Sequence, residues 1–281
     1  MMVLSWGPPH FPLHTAPQEY QDRFAHVDIE LRPNVPADKQ AEAREELRGN
    51  YAHIAALDDC LATVLDAIDA SGQRDNTIVV FTSDHGDMFG SQGINRKSVP
   101  WDESIRVSFL LRWPAALPTG ALPLPLDAPD IMPTLLGLCE LEIPATVQGQ
   151  DYSAVLRGEQ ALSGDEAALL NLPAAFANVL EHGFKAYRGL RTQRYTYVRN
   201  TDGPWLLFDN EADPYQMCNL VGSAEHADVQ SALESRLQHR LAALGDEFLD
   251  GQAYLERDGL SHYQEVNRSC HREWQDPWSR H

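Results

Sequence analysis

Asn76-Thr-Ile-Val-Val-Phe-Thr-Ser-Asp-His-Gly-Asp87 is the stretch on which the fold turns. Thr77 to Thr82 shows no polar/apolar alternation, so it predicts a strand buried on both faces, as in a parallel sheet covered by helices. In open α/β sheets, binding and catalytic groups gather just beyond the carboxyl ends of such strands. Asp84 and His85 fall there, and Gly86 reads as the sharp turn that follows. A carboxylate oxygen beside an imidazole nitrogen is half of a divalent-metal site. The same two side chains can equally cap a turn from solvent.

Outward from that strand, an α/β rhythm emerges. Upstream, Leu47, Tyr51, Ile54, Leu57, Leu61, Val64, Leu65 and Ile68 recur at three- and four-residue steps. They predict an amphipathic helix from Ala41 to Ala70, stopped by Ser71-Gly72. Met2 to Trp6 reads as the tail of another strand, broken by Gly7-Pro8-Pro9, and residues 11–37 as irregular loop. Downstream, a glycine-rich loop over 86–95 leads to a strand at Ser108–Trp113, closed by Pro114. Asp127–Leu138 predicts a short helix capped at Asp127 or Asp130. Residues 140–170 read as mixed turns, with a helical turn at Ser153–Arg157.

From Gly183 the pattern alternates. Phe184–Thr192, Tyr195–Arg199 and Trp205–Asp209 predict antiparallel strands, and Val229–Leu249 an amphipathic helix to pack on them. The tail after Gly259 is polar and aperiodic. The expected division is an α/β domain over 1–180 and a C-terminal subdomain over 181–281.

Composition limits the partners. A net charge of −19 over 281 residues argues against nucleic acid and anionic membrane surfaces. It does not exclude an anionic substrate, because a local cluster of cations can reverse the field in one cleft. No apolar run approaches the roughly 20 residues needed to span a bilayer. The first residues carry no basic segment followed by an apolar one, so no signal peptide is expected and a cytoplasmic location is the default for the chain as given. Cys60, Cys139, Cys218 and Cys270 are widely separated and form no paired motif, which argues for free thiols over disulfides or zinc.

Two further signals bear on chemistry. Arg96-Lys97 follows the strand at a short distance, and a lysine near a metal can clamp an anionic oxygen. Gly7-Pro8-Pro9-His10 is a rigid turn holding a histidine, able to donate to an anion or act as a general acid. Without context, a solvated lysine and an idle loop histidine are the commoner outcomes. Asp84, Asp87 and Gly90 do not fit the spacing of an EF-hand calcium loop. Asp58-Asp59 reads as an exposed helix patch, and His182, His226, His239, His262, His271 and His281 show no ligand spacing.

Taken together, the segments resemble the sulfatases. The resemblance lies in Ser5-Trp-Gly-Pro-Pro-His10, Glu46-Leu-Arg-Gly-Asn-Tyr-Ala-His-Ile-Ala-Ala-Leu-Asp58 and Asn76 through Met88. It continues in Lys97 with Trp101-Asp-Glu-Ser-Ile-Arg-Val107, in Asp130-Ile-Met-Pro-Thr-Leu-Leu136 and in Leu207-Phe-Asp-Asn-Glu-Ala-Asp-Pro214. The order is the family's, from Met2 to about Leu249. The resemblance implies the alkaline-phosphatase-like α/β sheet flanked by helices, here incomplete at its N-terminus, plus a small C-terminal antiparallel sheet with a helix. It implies hydrolysis of a sulfate monoester at one divalent cation, calcium first, with magnesium or manganese as alternatives. By position, Asp84 and His85 would be metal ligands, although many relatives carry Asn where His85 stands. Lys97 would contact the sulfate and its bridging oxygen, and His10 would hold the sulfate or help protonate the leaving alcohol.

The departures matter as much. The family's nucleophile is a formylglycine made in a C-x-P-S-R or C-x-A-S-R type motif, and none of the four cysteines here stands in such a context. The acidic pair that supplies the remaining metal ligands is also absent; both features belong upstream of the segment that starts at Ser5. Gln92 and Ser108 stand where His and Pro are common. The expectation is therefore the C-terminal part of a sulfatase, inactive by itself and completed by a missing N-terminal half. A phosphonate or phosphodiester hydrolase of the same superfamily is the second reading, and a non-catalytic remnant or binding module the third.

Overall fold

The computed structural model describes residues 1–175 and 178–263. Cys270, His271 and His281, and most of the polar tail, lie outside the described residues. The chain forms two compact units that interleave along the sequence. The first holds Met1–Lys97, Trp101–Ala121 and Ala154–Gln160; the second holds Ser98–Pro100, Leu122–Ser153 and the described residues from 161 onward.

In the first unit, α1 (Gln18–Phe24) packs on the long α2 (Gln40–Ala70), with the Phe24 and Tyr51 rings 5.9 Å apart. The helix forms as its periodicity predicts, but its most buried positions are different ones. Ala43, Asn50, Ala52 and His53 are buried, whereas Tyr51 and Ile54 of the expected apolar stripe are exposed. The preceding loop approaches the helix closely at Gly49. A Cβ there would stand 2.5 Å from the Leu13 carbonyl oxygen, so only glycine admits that backbone.

The strand β1 (Val79–Thr82) pairs antiparallel with β2 (Phe109–Arg112), running from Val79 opposite Arg112 to Thr82 opposite Phe109. The expectation of a parallel sheet buried on both faces is thereby corrected locally. The two strands make a sheet by themselves, so β1 is half-buried and ends exposed at Thr82. Met2–Trp6 forms no strand: with no ladder partner, Met2, Val3 and Leu4 stand exposed. The single turn α3 (Asp102–Ile105) completes this unit's main elements.

The second unit opens with α4 (Ala128–Leu138), capped as its sequence predicts. Asp127 accepts from the Ala128 amide, and Asp130 accepts from the Asp127 amide (3.0 Å), a reciprocal capping box. One-turn helices follow in the sequence at α5 (Ser153–Leu156), whose residues from Ala154 belong to the first unit, and at α6 (Asn178–Glu181) in the second. Four strands form an antiparallel sheet in sequence order: β3 (Ala167–Leu172), β4 (Tyr187–Thr192), β5 (Tyr195–Asn200) and β6 (Gly203–Asp209). β3 begins inside 140–170, where mixed turns are expected, and precedes the alternation expected from Gly183.

α7 (Ala227–Leu244) covers the sheet, and Leu233, Leu237 and Leu241 join Leu190, Tyr197 and Leu207 in one core. It stops short of the expected Leu249 because Gly245 turns left-handed, with φ of 67°. The final described helix is α8 (Gly251–Arg257), capped by the Asp250 side chain. Among the described residues, no helix is long and apolar enough to cross a membrane.

Candidate active site

The end of β1 carries the first pair. The Asp84 carboxylate accepts from the His85 amide (3.0 Å) and the Ser83 hydroxyl (3.3 Å). The His85 ring places Nδ1 2.8 Å from the Gly86 carbonyl oxygen. A carbonyl only accepts, so Nδ1 carries a proton. That leaves Nε2 facing Asp84 Oδ2 at 3.4 Å. A lone pair there would repel a carboxylate, so the gap calls for positive charge, either a proton on Nε2 or a cation shared by both atoms. Partial burial pushes the Asp84 carboxyl up, but the His85 ring and the hydrogen bonds around it outweigh that and hold it below its ordinary value.

The geometry fits two neighbouring donors on one hard cation, since ligands about 2.1–2.5 Å from a metal lie roughly 3 Å apart. It is an open half-shell: the Asp84 side chain is 83% exposed. Among the described residues, no three His, Cys, Asp or Glu side chains gather as a metal cluster.

Gly86 is required for a reason the sequence did not reveal. A Cβ there would stand 2.0 Å from the Glu103 carbonyl oxygen, because the Gly86 amide donates to Ser104 O at 2.8 Å. Close backbone approach, rather than a left-handed turn, demands the glycine.

The loop after Gly86 delivers Lys97. Asp87 Oδ1 accepts from the amides of Phe89 (3.1 Å) and Arg96 (3.0 Å), and the Met88 amide donates to Arg96 O (2.8 Å). Asp87 is therefore a loop clasp. Lys97 Nζ then lies 2.9 Å from His10 Nε2. His10 Nδ1 lies 2.9 Å from its neighbour's carbonyl at Phe11, which again puts the proton on Nδ1. Nε2 is thus the acceptor and the Lys97 ammonium the donor. A cation and a neutral imidazole side by side form a site for an anionic oxygen.

The His10 loop is tied to α2. His53 Nε2 and Thr15 Oγ1 are 3.1 Å apart, and the Thr15 hydroxyl donates to Pro12 O (2.8 Å). The hydroxyl proton being used, His53 donates from Nε2. Burial pushes this ring below its ordinary pKa, consistent with a neutral donor. Neither His53 nor Asp87, which fits no EF-hand spacing, sits in a sequence pattern that separates a support from an ordinary polar residue.

All four predicted site residues thus fall in the first unit, as two pairs: Asp84 with His85, and His10 with Lys97. An open cavity of about 550 Å³ in the same unit, lined by Asp28, Glu30, Arg32, Gln40 and Arg44 among others, contains none of them. Cys60, Cys139 and Cys218 are free and exposed.

Comparison with known proteins gives concordant results. A family profile described as Sulfatase matches residues 1–141, and one described as N-sulphoglucosamine sulphohydrolase, C-terminal, matches residues 90–243. An ulvan-active sulfatase of Formosa agariphila is 42% identical over 92% of this chain and 50% of its own length. A solved structure in complex with its substrate D-glucosamine-2-N,6-O-disulfate superposes with a TM-score of 0.64 at 28% identity, over 74% of this chain and 42% of that one. The phosphonate monoester hydrolase of Agrobacterium radiobacter gives 0.60 at 26% identity, over 74% and 42%. The chain spans about half the length of the curated relatives it matches.

Proposed function

The chain belongs to the sulfatase family and its alkaline-phosphatase-like α/β fold, and from that premise we propose that it forms part of a hydrolase acting on sulfate monoesters of sugars. The observation that carries this reading is the Lys97–His10 pair at 2.9 Å. A sulfuryl group is an anion whose ester oxygen gains charge as the S–O bond breaks. The Lys97 ammonium can donate to a sulfate oxygen or to that bridging oxygen and offset the charge there. His10 Nε2, freed when Lys97 turns to the substrate, can take a proton and pass it to the leaving alcohol. The tautomer fixed by Phe11 O aims Nε2 at Lys97, so both groups serve one point.

Asp84 and His85 would hold a divalent cation, with calcium the leading candidate because a carboxylate oxygen donor suits a hard ion. Bound there, such a cation would polarise the sulfate oxygens. Two donors are too few for such an ion, and none of the cysteines stands in a formylglycine motif. The nucleophile and the remaining ligands are therefore proposed to come from outside these 281 residues. The sugar sulfate class follows the relatives' substrates: ulvan in one, a disulfated glucosamine in another.

A second reading, a phosphonate monoester hydrolase, is favoured by the Agrobacterium neighbour and by the Asp84–His85 pair. Turnover separates the two. In a protein that joins this chain to the segment its relatives possess, aryl sulfate should be hydrolysed faster than aryl phosphonate. Lys97→Ala should lower kcat about 10²–10³-fold. Faster phosphonate cleavage would install the second reading. Hydrolysis by the 281-residue chain alone would refute the proposal that its nucleophile lies elsewhere.

A further inference from the structure

We propose that Arg96 is the positioning residue of the His10–Lys97 pair, acting through a clamp built from Glu46 and Phe11. Arg96 Nη1 donates to Glu46 Oε1 at 2.9 Å, anchoring the guanidinium on α2. The guanidinium carbon lies 4.8 Å from the centroid of the Phe11 ring, and Phe11 stacks on the His10 ring, with centroids 4.4 Å apart and planes inclined by 29°. His10 meets Lys97, and Lys97 is the next residue after Arg96. The contacts therefore close a circuit: Glu46, Arg96, Phe11, His10, Lys97 and back through one peptide bond.

The pieces of this circuit are individually weak and collectively restrictive. His10 and Phe11 are exposed, so no apolar core holds their rings. What fixes them is the cation beneath the Phe11 face and the Phe11 carbonyl that locks the imidazole tautomer. Arg96 is itself fixed from two sides, by Glu46 at its tip and by Asp87 at its amide. Its backbone is left-handed, with φ of 71°, which swings its side chain and that of Lys97 to different partners. Glu46 is mostly buried, and its second oxygen, Oε2, is buried without a hydrogen-bond partner, so this carboxylate depends on Arg96. A lysine could meet Glu46 but offers no planar cation to stack on Phe11.

The catalytic meaning of the clamp rests on the sulfatase reading above, but its structural test does not. The 281-residue chain labelled with ¹⁵N-histidine should show the His10 ring held as the Nδ1–H tautomer in nitrogen-resolved NMR spectra. In Arg96→Met that pattern should collapse to an averaged one while the backbone amide spectrum is retained. Arg96→Lys should recover it only in part. Phe11→Leu, at an exposed position that strands no charge, should also average it, and decides the matter if Arg96→Met fails to fold. An unchanged His10 pattern in either folded variant would overturn the proposal. In the longer protein, Arg96→Met should lower kcat by about 10–100-fold with KM little changed, because a misplaced group disturbs the reacting geometry more than ground-state binding. A KM rise at constant kcat would also overturn it. Loss of the tautomer without any sulfate turnover in the longer parent protein would leave the clamp standing and sink the sulfatase reading instead.

Discussion

The two units hold themselves together by different means. The second has four paired strands, with Leu190, Tyr197 and Leu207 facing Leu233, Leu237 and Leu241 of α7. That exceeds what a sheet needs for independent stability. The first has a two-stranded sheet, and Met2, Val3, Leu4, Ile54 and Leu110 stand exposed. Beside buried apolar side chains such as Ile29, Val35, Met88, Ile94 and Trp101, it carries polar clasps and close backbone contacts: Asp87 across its loop, Arg96 on Glu46, His53 on Thr15, and Gly86 against Glu103. The candidate chemistry lies wholly in this thinner unit. Stability and function should therefore respond to different substitutions.

The largest effect is expected at Arg188, whose side chain is only 1% exposed. It grips the Asp246 carboxylate with two nitrogens, donates to the Tyr254 hydroxyl (3.2 Å) and lies 4.8 Å from the Phe248 ring centroid. Arg188→Met should strand a shielded carboxylate and destabilise the second unit by about 3–5 kcal/mol, read by chemical denaturation. A cost below about 1 kcal/mol would break the contrast, since a surface pair behaves that way. Leu237→Ala, fully buried in the same core, should cost about 3 kcal/mol in the same assay.

Acid offers a third, smaller test of the same lock. Burial pushes the Asp246 carboxyl up, but the hydrogen bonds from Arg188, Tyr254 and the Phe248 amide win and bring it down to about 2. A folded-state pKa below the unfolded one gives stability that is present above about pH 4 and lost as pH falls through about 2. The expected loss is about 2 kcal/mol. It should shrink in Arg188→Met, where only Tyr254 and the Phe248 amide still donate to Asp246, whereas the full wild-type trend persisting in that variant would place the acid sensitivity elsewhere than in the Arg188 pair.

The sequence was most legible where the deciding physics is local. The α2 periodicity, the Asp127–Asp130 capping box and the alternation of β4, β5 and β6 all act within a few residues of themselves. It was least legible where a distant backbone decides. Gly49 is needed because the Leu13 backbone lies against it, and Gly86 because Glu103 does. β1 reads as covered on both faces yet, among the described residues, pairs only with β2. The candidate site divides in the same way. Asp84 and His85 could be read from a strand end, and Lys97 and His10 from charge and a rigid turn together with the family resemblance. The supporting roles of Arg96, Asp87 and His53 could not, because the partners that define them, at 96 for Asp87, 46 and 11 for Arg96 and 15 for His53, are remote and no local pattern names them.

The smallest expected effect is the sharpest probe of the thinner unit. Ile54 and Leu110 are 46% and 60% exposed, one on α2 and one on β2. If they meet water in solution, Ile54→Ser and Leu110→Ser should each change stability by no more than about 0.5 kcal/mol, as surface substitutions do. They should also reduce self-association, because exposed apolar side chains favour it, in the case of Leu110 on a strand of a two-stranded sheet. Denaturation and sedimentation on the 281-residue chain measure the two quantities separately. A destabilisation above about 1 kcal/mol that depends on protein concentration would mean that another surface covers these side chains. Packing by that other surface would then add to the first unit's own buried side chains, and its difference from the second would be one of what covers the core rather than of how each unit is built.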